Sequence, residues 1–418
     1  MNSTNGKHAV VIGCGIAGIL AARVLSKHFE QVTVLDRDVL PDSGQPRKGA
    51  PQTFHNHVML KGGELVISKL FPDFYEQLNA SGEVPVIDSA DINWFHYGAW
   101  RMRIRTNISK TLMTRSYFEW KVRCRLQECP NVKIVQECSV TGLLTDQTKQ
   151  RISGVQVRYK QSPEQQHLLD ADLVVDASGR NSQIPNKLVE IGCQKPEETT
   201  VTVNIGYASC RFKMPEDQKL DYQLMLIQPE APKGNKFAFL TAIEGGLWNL
   251  SLAGYLADYP PEDIEGFLEF AKQLDRPDVY DAVKNATLVS EIRSYRAPTS
   301  LRRRYEKLKN FPDGLLILGD ALCSFNPVFG QGMSVAAMSA NILDESLQEF
   351  ARVSPNNLTG VGKLYFKKVS KLVDIAWRAA ITEDFRFPQA IGKRPPYTKF
   401  LNWYMGRLFK LASTNARI

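Results

Sequence analysis

The chain has 418 residues, of which 43% are hydrophobic and 23% charged, an ordinary globular mix long enough for two or three domains and for a core that buries a cofactor. Its formal charge of +8 is mostly dispersed: Arg101, Arg103 and Arg105 alternate as on a strand face and Arg302, Arg303 and Arg304 form a short run, but both read as solvated surface and no nucleic-acid module is present. Seven scattered cysteines, an odd number with no CxxC pair, argue against a disulfide framework and against a zinc site, and for a reducing, cytoplasmic setting.

Residues 1–8 are short and polar, without the apolar h-region of a signal peptide, and no apolar run reaches the roughly 18 residues of a transmembrane helix. Residues 8–12 form an apolar strand. Gly13, Gly15 and Gly18 follow, and Ile16, Ile19, Leu20 and Val24 then recur at helical spacing up to Lys27. A second apolar strand, residues 31–35, ends in Asp36, which completes a β-α-β unit. The run Gly13-Cys14-Gly15-Ile16-Ala17-Gly18 permits a tight turn, close approach of backbone to a pyrophosphate, and close helix–strand packing. The helix N-terminus offers free N–H groups to the phosphates. Asp36, about 20 residues on, stands where a carboxylate accepts ribose hydroxyls.

His55 and His57, at i and i+2, lie on one face of an extended segment. They read first as structural histidines, second as pocket residues and last as metal ligands, because no carboxylate or cysteine partner is near in sequence; no metal is expected. Trp94, Phe95, Tyr97 and Trp100 cluster as core or, second, as a pocket wall. Residues 132–160 read as a small antiparallel meander, and residues 173–175 as a buried strand leading into Asp176-Ala177-Ser178-Gly179-Arg180. Residues 197–300 are strand-rich, with segments 201–212, 222–227 and 236–255 suggesting the sheet of a second domain.

Residues 315–318 form another strand, delivering Gly319 and Asp320 to its carboxyl end, where ligands of α/β sheets sit. The loop Asn326-Pro327-Val328-Phe329-Gly330-Gln331-Gly332-Met333 then opens a second helix, residues 333–350. Its N-terminus stabilises an anion without a charged side chain, which suits the pyrimidine edge of a reduced flavin. The tail after Pro355 is helical. Phe400, Leu401, Tyr404, Leu408 and Phe409 recur at near-helical spacing among Lys399, Arg407 and Lys410, as expected of a helix docked on the protein or, second, in peripheral contact with a membrane.

The two glycine motifs stand about 300 residues apart, in the order found in one flavoprotein class. With Arg47-Lys48-Gly49-Ala50-Pro51-Gln52, His55-Asn56-His57, Thr114-Arg115 with Trp120, residues 173–180 and residues 316–334, the chain resembles the class A flavoprotein monooxygenases, and within them is most similar to the FAD-dependent epoxidases of polyether biosynthesis. The resemblance implies an α/β fold: a Rossmann-like FAD-binding domain of the glutathione-reductase type, an inserted antiparallel β-sheet substrate domain and C-terminal helices. The implied division is 1–85, 111–196 and 301–350 for FAD binding, 86–110 and 197–300 for substrate, and 351–418 for the helical tail. It implies that Gly13, Gly15, Ile16, Ala17 and Gly18 hold the FAD pyrophosphate, with Asp36 and Arg37 at the adenosine and Arg47, Lys48, Arg115, Asp176 and Gly179 around the cofactor. Gly319 and Asp320 would meet the ribityl chain, and Gly330, Gly332 and Met333 the isoalloxazine. Pro327, Phe329 and Gly330 would flank the reacting face, with His55, His57, Trp94, Tyr97 and Trp100 toward substrate.

The implied reaction inserts one oxygen atom from O2 into an apolar, natural-product-like substrate through a flavin C4a-hydroperoxide, by epoxidation or by hydroxylation. The chain departs from the aromatic hydroxylases at two places. Gly179 comes two residues later than their Asp-Gly pair requires after Asp176, and Cys323 replaces a histidine. These departures count against direct NADPH binding and bring in a separate flavin reductase, beside NAD(P)H itself, as the electron source. Three alternatives share the motifs: a flavin-dependent halogenase, which needs a lysine such as Lys61 or Lys48 between flavin and substrate; an FAD-dependent prenyl-chain reductase; and a non-catalytic flavin-binding protein.

Overall fold

A computed structural model describes residues 5–355 and 357–415. Part of the segment read for a signal peptide, residues 1–4, lies outside the described residues, as do residues 356 and 416–418 of the tail. Strand β1 (Gly6–Ile12) is continuously apolar from Ala9 onward and buried there, as a parallel strand covered on both faces requires. It leads through Gly13 into helix α1 (Ile16–Leu25) and strand β2 (Phe29–Leu35). Helix α2 (Arg115–Gln127), capped by the Thr114 hydroxyl on the Tyr117 amide, precedes β3 (Val132–Val135). Strands β4 (Leu173–Asp176) and β5 (Leu315–Ile317) complete a five-stranded parallel sheet of order β5-β4-β1-β2-β3. Helices α3 (Gly332–Val353), α4 (Val361–Asp384) and α5 (Thr398–Ala412) follow in the chain.

The sequence reading of residues 132–160 needs a correction. Val132–Val135 is the edge strand of the parallel sheet, held by β2. The antiparallel meander is made instead by Cys138–Thr145, Ile152–Tyr159 and His167–Asp170. A four-residue strand looks alike in either setting, and only its distant partner decides between them.

A ten-stranded sheet covers the carboxyl edge of the parallel one. Its main path runs through Cys323–Ser324, Arg293–Arg303, Glu198–Lys213, Trp248–Gly254, Lys236–Ala242, Leu224–Ile227, Ile92–His96 and Ala99–Trp100. The pairings on this path are antiparallel except that of Leu224–Ile227 with Ile92–His96. Period-two alternation divides its side chains between two cores. Met225, Ile227, Ala238 and Leu240 pack on the helices Ile264–Lys272 and Asp278–Val283. Leu224, Leu226, Phe237 and Phe239 point to the other face, toward the parallel sheet. Ile391–Gly392 pairs with Val201 and Thr202, which ties the tail to this sheet before α5 begins.

Candidate functional site

The carboxyl ends of β1, β2, β4 and β5 bring Gly13, Asp36, Asp176 and Asp320 to one edge, the place where open α/β sheets bind ligands. Gly13 has φ +97, and a Cβ there would lie 2.7 Å from the Ala177 carbonyl oxygen. At Gly18 a Cβ would sit 1.8 Å from the Gly13 carbonyl oxygen, so the α1 backbone closes directly onto the turn. Gly15 is different. It caps α1 without a side-chain hydrogen bond, and a Cβ there would meet nothing nearer than Arg47 Nη2 at 3.7 Å. The first-turn N–H groups of α1 therefore face open space with the positive end of the helix dipole behind them.

Asp36 accepts from the Cys14 amide at 2.7 Å and the Asp38 amide at 2.9 Å. Arg47 Nη1 reaches Asp36 at 3.0 Å and Asp38 at 2.9 Å, while its Nε reaches Glu119 at 3.1 Å. Burial opposes the guanidinium charge, but Glu119, Asp36 and Asp38 more than restore it and raise the Arg47 pKa. Burial pushes the Cys14 thiol far above its usual range, with Asp36 and Glu119 adding to the effect, so this cysteine is no nucleophile. Asp176 is fully buried. Its carboxylate accepts from the Ser178 amide at 3.0 Å and from the Ser178 and Ser182 hydroxyls at 2.5 Å each, which fixes the turn after β4.

The second motif is built differently. Gly319 has φ +68, and a Cβ there would lie 2.7 Å from that of Ala17, so the two glycine motifs touch. Burial raises the Asp320 pKa, opposed by Arg115 and Arg180. Asn326 caps the turn Pro327–Phe329 by accepting from the Val328 amide at 3.2 Å, and Gly330 leaves the turn at φ +60. Helix α3 then starts at Gly332 without a side-chain cap. Opposite it, Arg115 Nη1 lies 3.2 Å from His57 Nε2, and burial, reinforced by Arg115, keeps His57 neutral. His55 Nδ1 bonds Ser209 Oγ at 2.7 Å, and Asn56 Nδ2 donates to the Phe239 and Asn249 carbonyls, pinning this segment to the large sheet.

One cavity of about 1250 Å³ joins these parts. It runs from Asp36, Arg37 and Arg47 past Gly13, Gly15, Ile16 and Ala17, beside Asp176, Gly179 and Arg115, to Gly319, Asp320, Pro327, Phe329, Gly330, Gly332 and Met333. It continues past His55, His57 and Trp94 into an apolar chamber between the large sheet and α5. Four of the residues that the resemblance assigns to cofactor or substrate lie outside its lining. Gly18 is spent on packing against Gly13, and Lys48 is exposed. Trp100 meets Phe95 edge-on at 5.4 Å within the helix-covered core. Tyr97 is buried behind α5, stacked on Phe409 at 5.1 Å with its hydroxyl donating to Glu383 at 2.7 Å.

The cavity also holds residues that sequence reasoning missed: Leu224, Leu226, Phe237 and Phe239 from the sheet, Lys110, and Leu401, Met405 and Phe409 from α5. The strand residues alternate and the helical ones recur every fourth position, so a signal existed, but nothing local says which face looks inward. Buried polar atoms without a protein partner include Arg115 Nε and Gln331 Oε1, both on cavity-lining residues. Such atoms, the open space at Gly15 and the uncapped starts of α1 and α3 fit a long phosphorylated cofactor along the crevice. Among the described residues, no group of three His, Cys, Asp or Glu is arranged to hold a metal ion, and no helix is long and apolar enough to cross a membrane.

No protein-family profile matches the chain. Its sequence is 32% identical over 349 residues to Protein Rv3254 of Mycobacterium tuberculosis, covering 82% of this chain and 73% of that one. It is 25% identical over 372 residues to the squalene monooxygenase of Mus musculus, covering 81% of this chain and 54% of that protein, so the chain spans about half of that relative's length. Among solved structures, p-nitrophenol 4-monooxygenase PnpA from Pseudomonas putida DLL-E4 superimposes with a TM-score of 0.69 at 16% identity, covering 99% of this chain and 95% of that one. The myxobacterial chondrochloren halogenase CndH, described as a variant of FAD-dependent halogenases, superimposes with a TM-score of 0.70 at 14% identity, covering 98% and 91%. At these identities the structural likeness shows the fold alone.

Proposed function

The chain belongs to the FAD-dependent monooxygenase superfamily, in one family with Protein Rv3254, and on that premise we propose that it inserts one oxygen atom from O2 into an apolar organic substrate, by epoxidation first and hydroxylation second. The observation that carries this reading is the continuity of the cavity: the crevice over the two glycine motifs opens directly into the apolar chamber lined by Leu224, Leu226, Phe237, Phe239, Met405 and Phe409. On this reading residues 1–85, 111–196 and 301–350 hold FAD, residues 86–110 and 197–300 cover it, and 351–418 close the chamber.

Bound FAD supplies the activation of O2. The backbone at Gly13, Gly15, Ile16 and Ala17 would take its pyrophosphate, Asp36 the adenosine ribose and Asp320 the ribityl hydroxyls. The Gly332 and Met333 amides would meet the pyrimidine edge, where the dipole of α3 favours negative charge. Arg47, bound to three carboxylates, orders the adenosine end. His57, neutral beside Arg115, adds no second positive charge at the mouth of the chamber. The apolar walls orient substrate and exclude water, and no side-chain acid or base is required of them.

Halogenation is a second reading, favoured by one observation. Lys110 lines the cavity, and burial lowers its pKa. Lys61, paired with Glu64 at 3.1 Å, and Lys48 do not line it. The test gives the FAD-loaded protein NADH, with or without a flavin reductase, and a series of terpenoid and polyketide alkenes under ¹⁸O2, with and without bromide. Products carrying one ¹⁸O atom without halide support oxygenation. Products that require bromide support the second reading, and anaerobic loss of a double bond would replace both with prenyl-chain reduction.

A further inference from the structure

Helix α5 has two apolar faces. Leu401, Met405 and Phe409, spaced by four, form a wall of the cavity. The opposite face carries Phe400, 63% exposed, Trp403, 59%, Tyr404, 49%, and Leu411, 56%. Their rings form a strip, with Phe400 6.0 Å from Trp403 and stacked on Tyr404 at 6.3 Å. Lys399, Arg407 and Lys410 are exposed on the same side of the helix. A helix docked on a protein turns polar side chains to water, and a cluster of exposed apolar rings marks a binding surface.

The surroundings continue the pattern. Residues 386–418 contain seven Lys or Arg and no Asp or Glu. Met102, 42% exposed, lies beside α5, because the neighbouring Arg101 donates to the Phe409 carbonyl at 3.1 Å and lies over the Phe409 ring at 3.8 Å. A crevice of about 290 Å³ opens between Met102 and Leu408 and reaches Trp94 and Phe409, which also line the main cavity.

We propose that the outer face of α5, together with Met102, docks on a lipid bilayer surface bearing anionic headgroups, and that an apolar substrate passes from lipid into the cavity through the crevice beside Met102. Phe, Trp and Tyr interleaved with Lys and Arg suit the headgroup boundary, where ring bodies enter the acyl edge and cations remain with phosphates. A second copy of the chain fits worse: a two-fold contact would set Lys399, Arg407 and Lys410 against their own copies, with no acid on the helix to answer them. The docking stands on the geometry of α5, whereas the passage of substrate rests on the oxygenase reading.

The test floats the full FAD-loaded chain with vesicles of phosphatidylcholine alone or mixed with phosphatidylglycerol. The protein should float with the mixed vesicles and not with the neutral ones. Charge reversal in K399E/R407E/K410E should weaken binding about a hundredfold. F400S/W403S/Y404S should abolish flotation, and both variants should keep the flavin spectrum and circular dichroism of the parent. Brominated acyl chains should quench tryptophan emission in the parent and spare it in W403F, which still floats. No flotation, or equal flotation with neutral vesicles, overturns the proposal. So does reversible self-association in sedimentation velocity that F400S/W403S/Y404S abolishes, since the face then belongs to a second copy. None of these measurements involves turnover, so their failure leaves the oxygenase reading standing.

Discussion

The side-chain amide of Asn326 donates to the carboxyl of Asp384 at 2.7 Å, both groups buried. The Asn326 side-chain oxygen Oδ1 accepts from the Val328 amide and from the Tyr207 hydroxyl, each at 3.2 Å. One asparagine therefore ties the loop before α3 to the end of α4 and to the large sheet. Burial raises the Asp384 pKa to about 7.

That shift fixes the sign of a pH effect. An unfolded aspartate titrates near 4, so from about pH 4 to 7 the folded protein binds the proton more tightly than the unfolded chain. The contribution of Asp384 to stability falls as pH rises through this window and is constant above it. Asp384→Asn keeps an acceptor for Asn326 and removes the charge. Thermal denaturation should show the variant more stable than the parent by ~2 kcal/mol at pH 8, with the gap closing toward pH 4. An offset independent of pH would refute the assignment.

His55 acts with the opposite sign over nearly the same range. Burial lowers its pKa to about 4, whereas an unfolded histidine titrates near 6.5. As pH falls from about 6.5 to 4 the unfolded chain takes the proton first and stability is lost. His96, lowered to about 3 by burial and then by Arg386 and Arg101, adds to the same loss. His55→Gln should shrink the fall in unfolding free energy between pH 7 and pH 5 by about 2 kcal/mol. Urea titrations at the two pH values measure it, and an unchanged fall counts against a neutral buried His55.

Two alanine substitutions in the first glycine motif should part company. Gly18→Ala drives a methyl group into the Gly13 carbonyl and should destabilise the fold by about 3 kcal/mol. Gly15→Ala meets no protein atom within 3.4 Å and should leave the unfolding midpoint of the apoprotein nearly unchanged. Its methyl stands in the crevice instead, so the purified variant should lose flavin absorbance. Full flavin occupancy in Gly15→Ala would move the pyrophosphate elsewhere.

Asp320→Ala tests the other end of the crevice. Loss of one charge-assisted hydrogen bond should weaken FAD binding roughly 10- to 100-fold. Fluorescence titration of the apoprotein with FAD measures this, and circular dichroism confirms that the variant is folded. Parent-like affinity would displace the ribityl chain from Asp320.

The sequence by itself determined the turn at Gly13, the helix after it, and Asp36 and Asp320 at the ends of their strands, because these depend on φ, on side-chain volume and on spacing within one or two elements. It also placed most of the singled-out residues along one cavity, because strand–turn–helix units put their loops on the same edge of a parallel sheet. Tertiary structure alone decided the rest. Val132–Val135 joins β2 because a short strand takes whatever partner distance allows. Tyr97 and Trp100 leave the cavity because the turn at Tyr97 and Gly98, with φ +55 and +74, folds Ala99–Trp100 back on Ile92–His96, which sends the Trp100 ring to the helix-covered core and the Tyr97 ring against Phe409 and Glu383. Asp384 meets Asn326 across 58 residues, a separation over which no periodicity speaks. In α5 the apolar pattern spreads over more than one face of the helix, so only the packing of Phe409 against Trp94, His96 and Tyr97 selects the face that closes the cavity.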